Sequence, residues 1–178
     1  MNLRDADYIA KAFVETLAPA CQRIEIAGSI RRRRPEVNDI DIVLIPHYST
    51  VRDGMFDEKR VSMLDGVMDV LEADGRITQF NRGEKLKRGV FPRKGDFAWD
   101  IFVATPETWS TLLLIRTGSK EHNIMLCQRA QDMRMKLHAD GSGVRDASGA
   151  LIRCFESEAD VLRLLGLEYV EPSKREIA

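Results

Sequence analysis

A short apolar segment that carries two acidic residues limits the fold more than any other feature. Residues 39–45 read Asp-Ile-Asp-Ile-Val-Leu-Ile, a composition typical of a buried strand. Because side chains alternate along a strand, Asp39 and Asp41 share one face, and Ile40 and Ile42 share the other. Two carboxylates this close repel each other, which is tolerable mainly when a divalent cation lies between them. For this motif alone, an exposed strand with an acidic face is the alternative.

A second apolar strand carries a third acidic residue. In residues 97–103, alternate apolar side chains share one face, whereas Asp100 interrupts the other face between Ala98 and Phe102. An isolated buried carboxylate is costly, so we expect a metal ion or a fixed arginine as its partner. A neighbouring position for the two strands would create a three-carboxylate site. With hard oxygen ligands, Mg²⁺ is the expected ion and Mn²⁺ its substitute.

A glycine and a serine lie upstream of the acidic strand. Gly28 and Ser29 follow a short strand and open a helical turn, where backbone N–H groups and a hydroxyl can bind phosphate. Arg31 and Arg32 add positive charge beside them. Phosphate held next to metal-binding carboxylates is the arrangement that phosphoryl transfer requires. A plain tight turn is the alternative for this pair.

The remaining hydrophobic pattern predicts an α+β fold in two touching subdomains that divide near Ala104. In the first part, two amphipathic helices alternate with strands, and the predicted segments are helices at 9–17 and 61–71 and strands at 24–26, 39–45, 77–80, 85–91 and 97–103. In the second part, the predicted elements are a helix from Thr105 to Gly118, a helix capped by Ser119, strands at 135–138 and 151–155, and a helix with a Ser157–Asp160 capping box that ends near Gly166.

Charge and cysteine content narrow the classes of protein to which the chain can belong. The formal net charge of -1 argues against binding nucleic acid by global attraction alone. Basic residues nevertheless cluster at 31–34 and between Arg82 and Lys94, so the second cluster is either a DNA-backbone contact or a solvated face. The three cysteines have no disulfide or zinc spacing, and no apolar run has the length of about 18 residues that a membrane span needs. We therefore expect a reduced, cytoplasmic protein that is neither secreted nor membrane-bound.

Several motifs together closely resemble those of the family X DNA polymerases. The resemblance runs from about Arg23 to Arg175 and rests on Gly28-Ser29-Ile30-Arg31-Arg32, Asp39-Ile40-Asp41, the strand with Asp100, Thr117-Gly118-Ser119-Lys120-Glu121-His122-Asn123, and Glu171-Pro172-Ser173-Lys174-Arg175. It implies a palm subdomain over residues 1–104, with a mixed β-sheet and flanking helices, and a small α/β thumb over 105–178. Lyase and fingers domains are expected to be absent, as in reduced viral members. We accordingly expect a cytoplasmic monomer of bacterial, phage or viral type, without lyase chemistry.

The resemblance also implies an activity and its residues. The activity is DNA-directed DNA polymerisation, in which a two-metal mechanism adds a dNTP to the 3′-hydroxyl of primer-template or gapped DNA, as in gap filling or repair. Asp39, Asp41 and Asp100 would be catalytic and hold two Mg²⁺ ions. The implied nucleotide-binding residues are Gly28, Ser29, Arg32, Asn38, Gly118, Ser119 and Asn123. The implied DNA-binding residues are Lys85, Lys87, Arg88 and Lys120.

Four residues depart from the family pattern. Ile115 and Arg116 replace the usual aromatic pair before Thr117, so we expect weaker discrimination against ribonucleotides. Ala98 stands where an arginine is common, and Cys127 where a template-contacting arginine is often found. Two other functions stay open from sequence: a nucleotidyltransferase that modifies RNA, protein or a small molecule without a template, and a non-catalytic module that binds DNA ends or gaps.

Overall fold

A computed structural model describes residues 1–53, 57–152 and 155–176 of the chain. Its α-helices are α1 (Leu3–Leu17), α2 (Gly28–Arg31), α3 (Met63–Ala73), α4 (Trp109–Thr117), α5 (Lys120–Asp132) and α6 (Glu158–Leu164). Its strands are β1 (Cys21–Ile26), β2 (Asp39–Pro46), β3 (Tyr48–Asp53), β4 (Asp57–Ser62), β5 (Thr78–Arg82), β6 (Leu86–Phe91), β7 (Phe97–Val103), β8 (Lys136–Leu137) and β9 (Val144–Arg145). No helix in these ranges has the length and apolar character needed to cross a membrane.

A mixed five-stranded sheet forms the centre of the first 104 residues. Its strand order is β1-β2-β7-β6-β5, with β2 and β7 parallel and the other neighbours antiparallel. This sheet and its flanking helices confirm the prediction of an α+β fold. The parallel pair lies in the middle of the sheet, where both of its strands have neighbours on each side.

The two faces of the sheet are covered unequally. Helices α1 and α3 pack on one face, against Ile40, Ile42, Trp99 and other buried side chains. The ring of Phe13, from α1, lies 5.7 Å from that of Trp99. On the opposite face, α4 covers a second core that contains Val43. Strand alternation places Asp39, Asp41 and Asp100 on this second face, beyond the end that α4 covers. The site is therefore an uncovered part of an otherwise buried sheet.

A smaller core holds the C-terminal region together. It combines the far side of α4 with α5, α6 and the β8–β9 hairpin, and its buried members include Leu114, Leu126, Val144 and Val161. The predicted capping box is present, because Ser157 and Asp160 each bind the other's backbone N–H.

Several elements of the structure differ from those predicted. The β3–β4 hairpin was not predicted, since its side chains lack a clear apolar alternation, and α3 consequently begins at Met63 instead of residue 61. Helix α4 begins at Trp109 because residues 105–108 first form a turn. Strand β9 was missed as well. The predicted strand at 151–155 was wrong in its described part, where Leu151 forms only an isolated bridge with Arg145; residues 153 and 154 lie outside the described residues.

A buried ionic network joins the sheet region to the C-terminal region. Arg31 of α2 donates to both carboxylate oxygens of Glu158 on α6, at 2.8 and 2.7 Å, and to Thr117 Oγ1 at 2.7 Å. Arg175 donates to Glu158 Oε1 at 2.6 Å. Burial tends to raise the pKa of Glu158, but the hydrogen bonds from Arg31 and Arg175 outweigh burial and lower it. Glu158 therefore stays ionised and fixes the two regions relative to each other.

We predict that Glu158→Gln lowers the free energy of unfolding by about 3 kcal/mol, because removing one partner of a buried ion pair leaves the others uncompensated. Glu158 and Arg175 are only 7% and 0% exposed in their side chains, so water cannot replace the lost carboxylate. Urea unfolding of both proteins measures the difference. Asp7→Asn, which breaks an exposed pair with Lys11, should cost no more than about 0.5 kcal/mol. If Glu158→Gln lowered the free energy of unfolding by as little as Asp7→Asn does, the network would not be what fixes the two regions together.

Candidate active site

Three carboxylates converge because β2 and β7 are parallel and in register. Asp41 lies directly opposite Asp100, and Asp39 lies opposite Ala98. Burial raises the pKa of Asp41 to about 7, with further contributions from the negative charges of Asp39 and Asp100. Burial also raises the pKa of Asp39, and the charge of Asp100 adds to that effect. The structure therefore brings together the three acidic residues that the sequence singled out, with their charges in mutual repulsion.

The Gly28–Ser29 turn lies against these carboxylates. The backbone N–H of Ala27 donates to the carbonyl oxygen of Asp41 at 2.8 Å. Gly28 has a φ of 58°, and a Cβ atom at this position would lie 1.9 Å from Asp41 Oδ2. Only glycine satisfies both the left-handed backbone and this close approach. The Ser29 hydroxyl is buried and has no hydrogen-bond partner among the described residues, so it can donate to a ligand.

An open cleft of about 340 Å³ lies between this turn and the start of α5. Its walls include four of the predicted nucleotide-binding residues, namely Ser29, Arg32, Asn38 and Ser119. They also include two of the three carboxylates, Asp39 and Asp41, and the predicted DNA-binding residue Lys120. Arg32 is already engaged there: its Nε donates to Glu176 Oε1 at 2.5 Å, and its Nη1 donates to the carbonyl oxygen of Thr117 at 2.7 Å. The carboxylate of Glu176 is thus paired with the Arg32 guanidinium that was expected to bind phosphate.

Polar groups of the Thr117–Asn123 segment bond to one another and to neighbouring parts of the chain. Ser119 Oγ accepts from the backbone N–H of His122 at 3.1 Å and so caps α5. Asn123 Nδ2 donates to the carbonyl oxygen of Ile115 at 2.8 Å. Gly118 is required for space, since a Cβ atom there would lie 2.5 Å from Asn123 Oδ1. His122 is buried and packs over this glycine. The segment therefore ends α4 and begins α5 at the edge of the cleft.

Arg116, which the sequence pattern connected with discrimination against ribonucleotides, lies beside the carboxylates. Its guanidinium stacks 4.1 Å from the centre of the Phe102 ring. Burial lowers the pKa of Arg116, while the nearby charges of Asp41 and Asp100 favour its charged form. Ile115, by contrast, is buried in the C-terminal core, so its side chain is not available to a ligand. The replacement of an aromatic pair by Ile115-Arg116 was the sequence signal for an altered site.

The four predicted DNA-binding residues have different surroundings. Lys87 does not fit an exposed DNA contact: its side chain is 6% exposed and lies 2.5 Å from Asp65, on the face opposite to the carboxylates. Arg88 is half exposed, but it is paired with Asp100, since its Nη2 donates to Asp100 Oδ2 at 2.7 Å. Lys85 and Lys120 are exposed, and both remain candidates for phosphate contacts.

The donor chemistry of the site fits a divalent cation. Carboxylates that raise one another's pKa are relieved by a cation, and hard oxygen ligands favour Mg²⁺. Among the described residues, no group of three or more His, Cys, Asp or Glu side chains is close enough together to hold a metal ion as it stands. Asp100 is instead turned onto Arg88 through Oδ2. The carboxylates therefore share a face and a common electrostatic environment, while one of them has an arginine partner.

Comparisons with known proteins find similarity to DNA polymerases. Residues 112–176 match the family described as DNA polymerase beta thumb. The chain is 27% identical over 151 residues to the DNA polymerase/3′-5′ exonuclease PolX of Bacillus subtilis (strain 168). The aligned residues make up 84% of this chain and 24% of that relative. It also superimposes on a crystal structure of Leishmania infantum polymerase beta, a ternary P/T complex, with a TM-score of 0.77, 20% identity, and coverage of 99% of this chain and 77% of that one.

The structural likeness establishes a polymerase beta fold. The thumb match and the bacterial relative show that the chain is similar to family X DNA polymerases. The chain spans about a quarter of the length of the curated relative it matches.

We predict that the metal-free protein becomes less stable as the pH rises from about 5 to about 7. The folded pKa of Asp41, about 7, exceeds the value of about 3.9 for an unfolded aspartate. Between these values the native state binds more protons than the unfolded state, so the free energy of unfolding falls as pH increases and levels off above about pH 7. Urea unfolding in EDTA measures this dependence.

Asp41→Asn should flatten that pH profile and stabilise the metal-free protein at pH 8, because it removes a buried charge. Asp132→Asn, at an exposed carboxylate on α5, should leave the profile as it is in the native chain. A native profile that is flat between pH 5 and 8 would show that Asp41 is not strained by its neighbours.

Proposed function

We propose that the chain is a DNA polymerase that adds dNTPs to the 3′-hydroxyl of a primer on primer-template or gapped DNA, in gap filling or repair. In this proposal, residues 1–104 form the palm and residues 105–178 the thumb. Asp39, Asp41 and Asp100 are the catalytic carboxylates. The polymerase beta fold and the thumb match support this assignment.

The observation that carries the proposal is the position of the carboxylates relative to the Gly28–Ser29 turn. Asp41 is directly opposite Asp100 in the parallel pair, and the turn approaches Asp41 so closely that only glycine fits. A phosphate bound by the turn would thus lie beside the acidic residues. Acidic ligands and a phosphate site side by side are what metal-assisted phosphoryl transfer needs.

We propose that Asp39, Asp41 and Asp100 hold two Mg²⁺ ions, with Mn²⁺ as a substitute. When bound, such ions lower the pKa of the attacking hydroxyl and neutralise charge on the triphosphate. Burial and, to a lesser degree, the charges of Asp39 and Asp100 raise the pKa of Asp41, and a bound cation would relieve both effects. Asp100 contributes through the carboxylate oxygen that Arg88 leaves free.

The chain's other groups bind and orient the reactants. Arg32 exchanges Glu176 for the triphosphate, which offers more negative charge, while its bond to the carbonyl oxygen of Thr117 keeps the guanidinium in place. The unpartnered hydroxyl of Ser29 donates to a phosphate oxygen. Held in this way, the α-phosphorus is open to in-line attack by the primer 3′-oxygen, and its bond to pyrophosphate breaks as the new ester bond forms.

We predict that Asp100→Ala lowers the rate of nucleotide incorporation by roughly 10² to 10³, which corresponds to several kcal/mol of lost transition-state stabilisation. Binding of dNTP should change little, because Asp39, Asp41 and Arg32 remain. Single-turnover primer extension and fluorescence titration of a labelled dNTP measure the two quantities. Asp132→Ala should behave like the native chain. Turnover within threefold of native for Asp100→Ala would remove Asp100 from the catalytic set.

The same extension assay distinguishes the other functions. Incorporation that follows the template base supports the polymerase. Equal incorporation with and without a template strand would indicate a template-independent nucleotidyltransferase. DNA binding without incorporation in either Mg²⁺ or Mn²⁺ would indicate a non-catalytic module that binds DNA ends or gaps.

We predict that Lys85→Ala with Lys120→Ala weakens binding to primer-template DNA and lowers the salt dependence of binding. Each lost phosphate contact should reduce the slope of log K against log salt by about 0.9, and thus by about 1.8 for both. Fluorescence anisotropy at several salt concentrations measures the slope. Lys11→Ala, on the opposite face of the sheet, should leave it unchanged. An unaltered slope for the double variant would make the two lysines ordinary solvated residues.

A further inference from the structure

Arg88 has a defined position beside the catalytic face. It lies directly opposite Asp100 across the antiparallel β6–β7 pair, and directly opposite side chains share one face of a sheet. Its Nε and Nη2 both donate to Asp100 Oδ2, at 3.1 and 2.7 Å. Because both bonds end on one oxygen, Arg88 takes up Oδ2 and leaves Oδ1 to other partners.

The strand that carries Arg88 cannot easily shift. At the next residue, Gly89, a Cβ atom would lie 1.9 Å from the carbonyl oxygen of Thr78 and 2.4 Å from the Trp99 ring. Strand β6 is therefore pressed between β5 and a fully buried tryptophan. On the other side of Arg88, Lys87 is held on the opposite face by Asp65. These contacts hold the backbone of Arg88 at one distance from Asp100.

Ala98 offers a second position from which a cation could approach Asp100. Ala98 precedes Asp100 by two residues on β7, and residues two apart on a strand share a face. A long cationic side chain at Ala98 would therefore reach the same carboxylate from its own strand. In this chain the cation comes from the neighbouring strand instead.

We propose that Arg88 is a positioning residue for Asp100, and not primarily a DNA-backbone contact. It fixes the carboxylate through Oδ2, so that Oδ1 is presented to the divalent cation that the proposed polymerase requires. This inference rests on the proposed function. The alternative role for Arg88 is contact with a DNA phosphate. That role would use the charge of the guanidinium but would not need two bonds to one carboxylate oxygen.

The test compares Arg88→Ala, Arg88→Lys and Arg88→Ala with Ala98→Arg in primer extension at saturating DNA. For Arg88→Ala we expect kcat to fall at least tenfold and KM for the dNTP to change less than threefold. Lysine cannot make both bonds to Oδ2 with fixed geometry, so kcat for Arg88→Lys should be little higher than kcat for Arg88→Ala. Ala98→Arg should restore at least a third of the lost kcat. Arg163→Ala, which breaks another exposed arginine–aspartate pair, should keep native kcat and KM.

Binding of primer-template DNA separates positioning from phosphate contact. For a positioning residue, the salt slope of Arg88→Ala stays native. A slope lower by about 0.9, together with native kcat at saturating DNA, would overturn the proposal and return Arg88 to the DNA surface. Failure of Ala98→Arg to restore any kcat would also count against it.

A measurement without catalysis keeps this inference distinct from the proposed function. Arg88→Ala should lower the Tm of the metal-free protein in the native background and lower it less in an Asp100→Asn background, because the pair is then already broken. Equal shifts in both backgrounds would show that the pair is absent in solution and would overturn the proposal. If the native chain incorporates no nucleotide, the proposed function fails, and this cycle alone decides whether Arg88 holds Asp100.

Discussion

The parallel pairing of β2 with β7 is the constraint on which the rest of the site depends. It sets Asp41 opposite Asp100, and strand alternation adds Asp39 to the same face. The opposite face of both strands is buried under α1 and α3, so the strands cannot slip by one residue without exposing that core. The free energy gained by burying the core on the other face offsets the repulsion among the carboxylates. The fold can therefore hold these like charges close together.

Arginines from both regions of the chain balance this acidic face. Arg88 pairs with Asp100 from the neighbouring strand, and Arg116 reaches Asp41 and Asp100 electrostatically from the end of α4. Arg32, the residue after α2, is directed by Glu176 and the carbonyl oxygen of Thr117. The charge balance of the site therefore depends on how the thumb-matching segment is placed against the sheet. The buried Glu158 network fixes that placement.

Two departures from the family pattern have physical consequences in the structure. The arginine absent at Ala98 is replaced in space by Arg88, which approaches the same carboxylate from a different strand. The residues that replace the aromatic pair are divided between two environments: Ile115 packs in the C-terminal core, and Arg116 faces the carboxylates. A change in ribose discrimination, expected from this replacement, would therefore act through Arg116 or the backbone, because the Ile115 side chain does not face the cleft.

The sequence by itself determined the parts of this protein that follow from local patterns. Alternation in residues 39–45 and 97–103 predicted two strands with their acidic faces, and Ser119 and the Ser157–Asp160 pair predicted helix starts that the structure contains. Tertiary structure alone decided which strands are neighbours and where each charge finds its partner. A lysine and an arginine that are adjacent in sequence, Lys87 and Arg88, point to opposite faces and bind different carboxylates. Ion-pair partners depend on distances between segments far apart in the chain, and no local pattern encodes those distances.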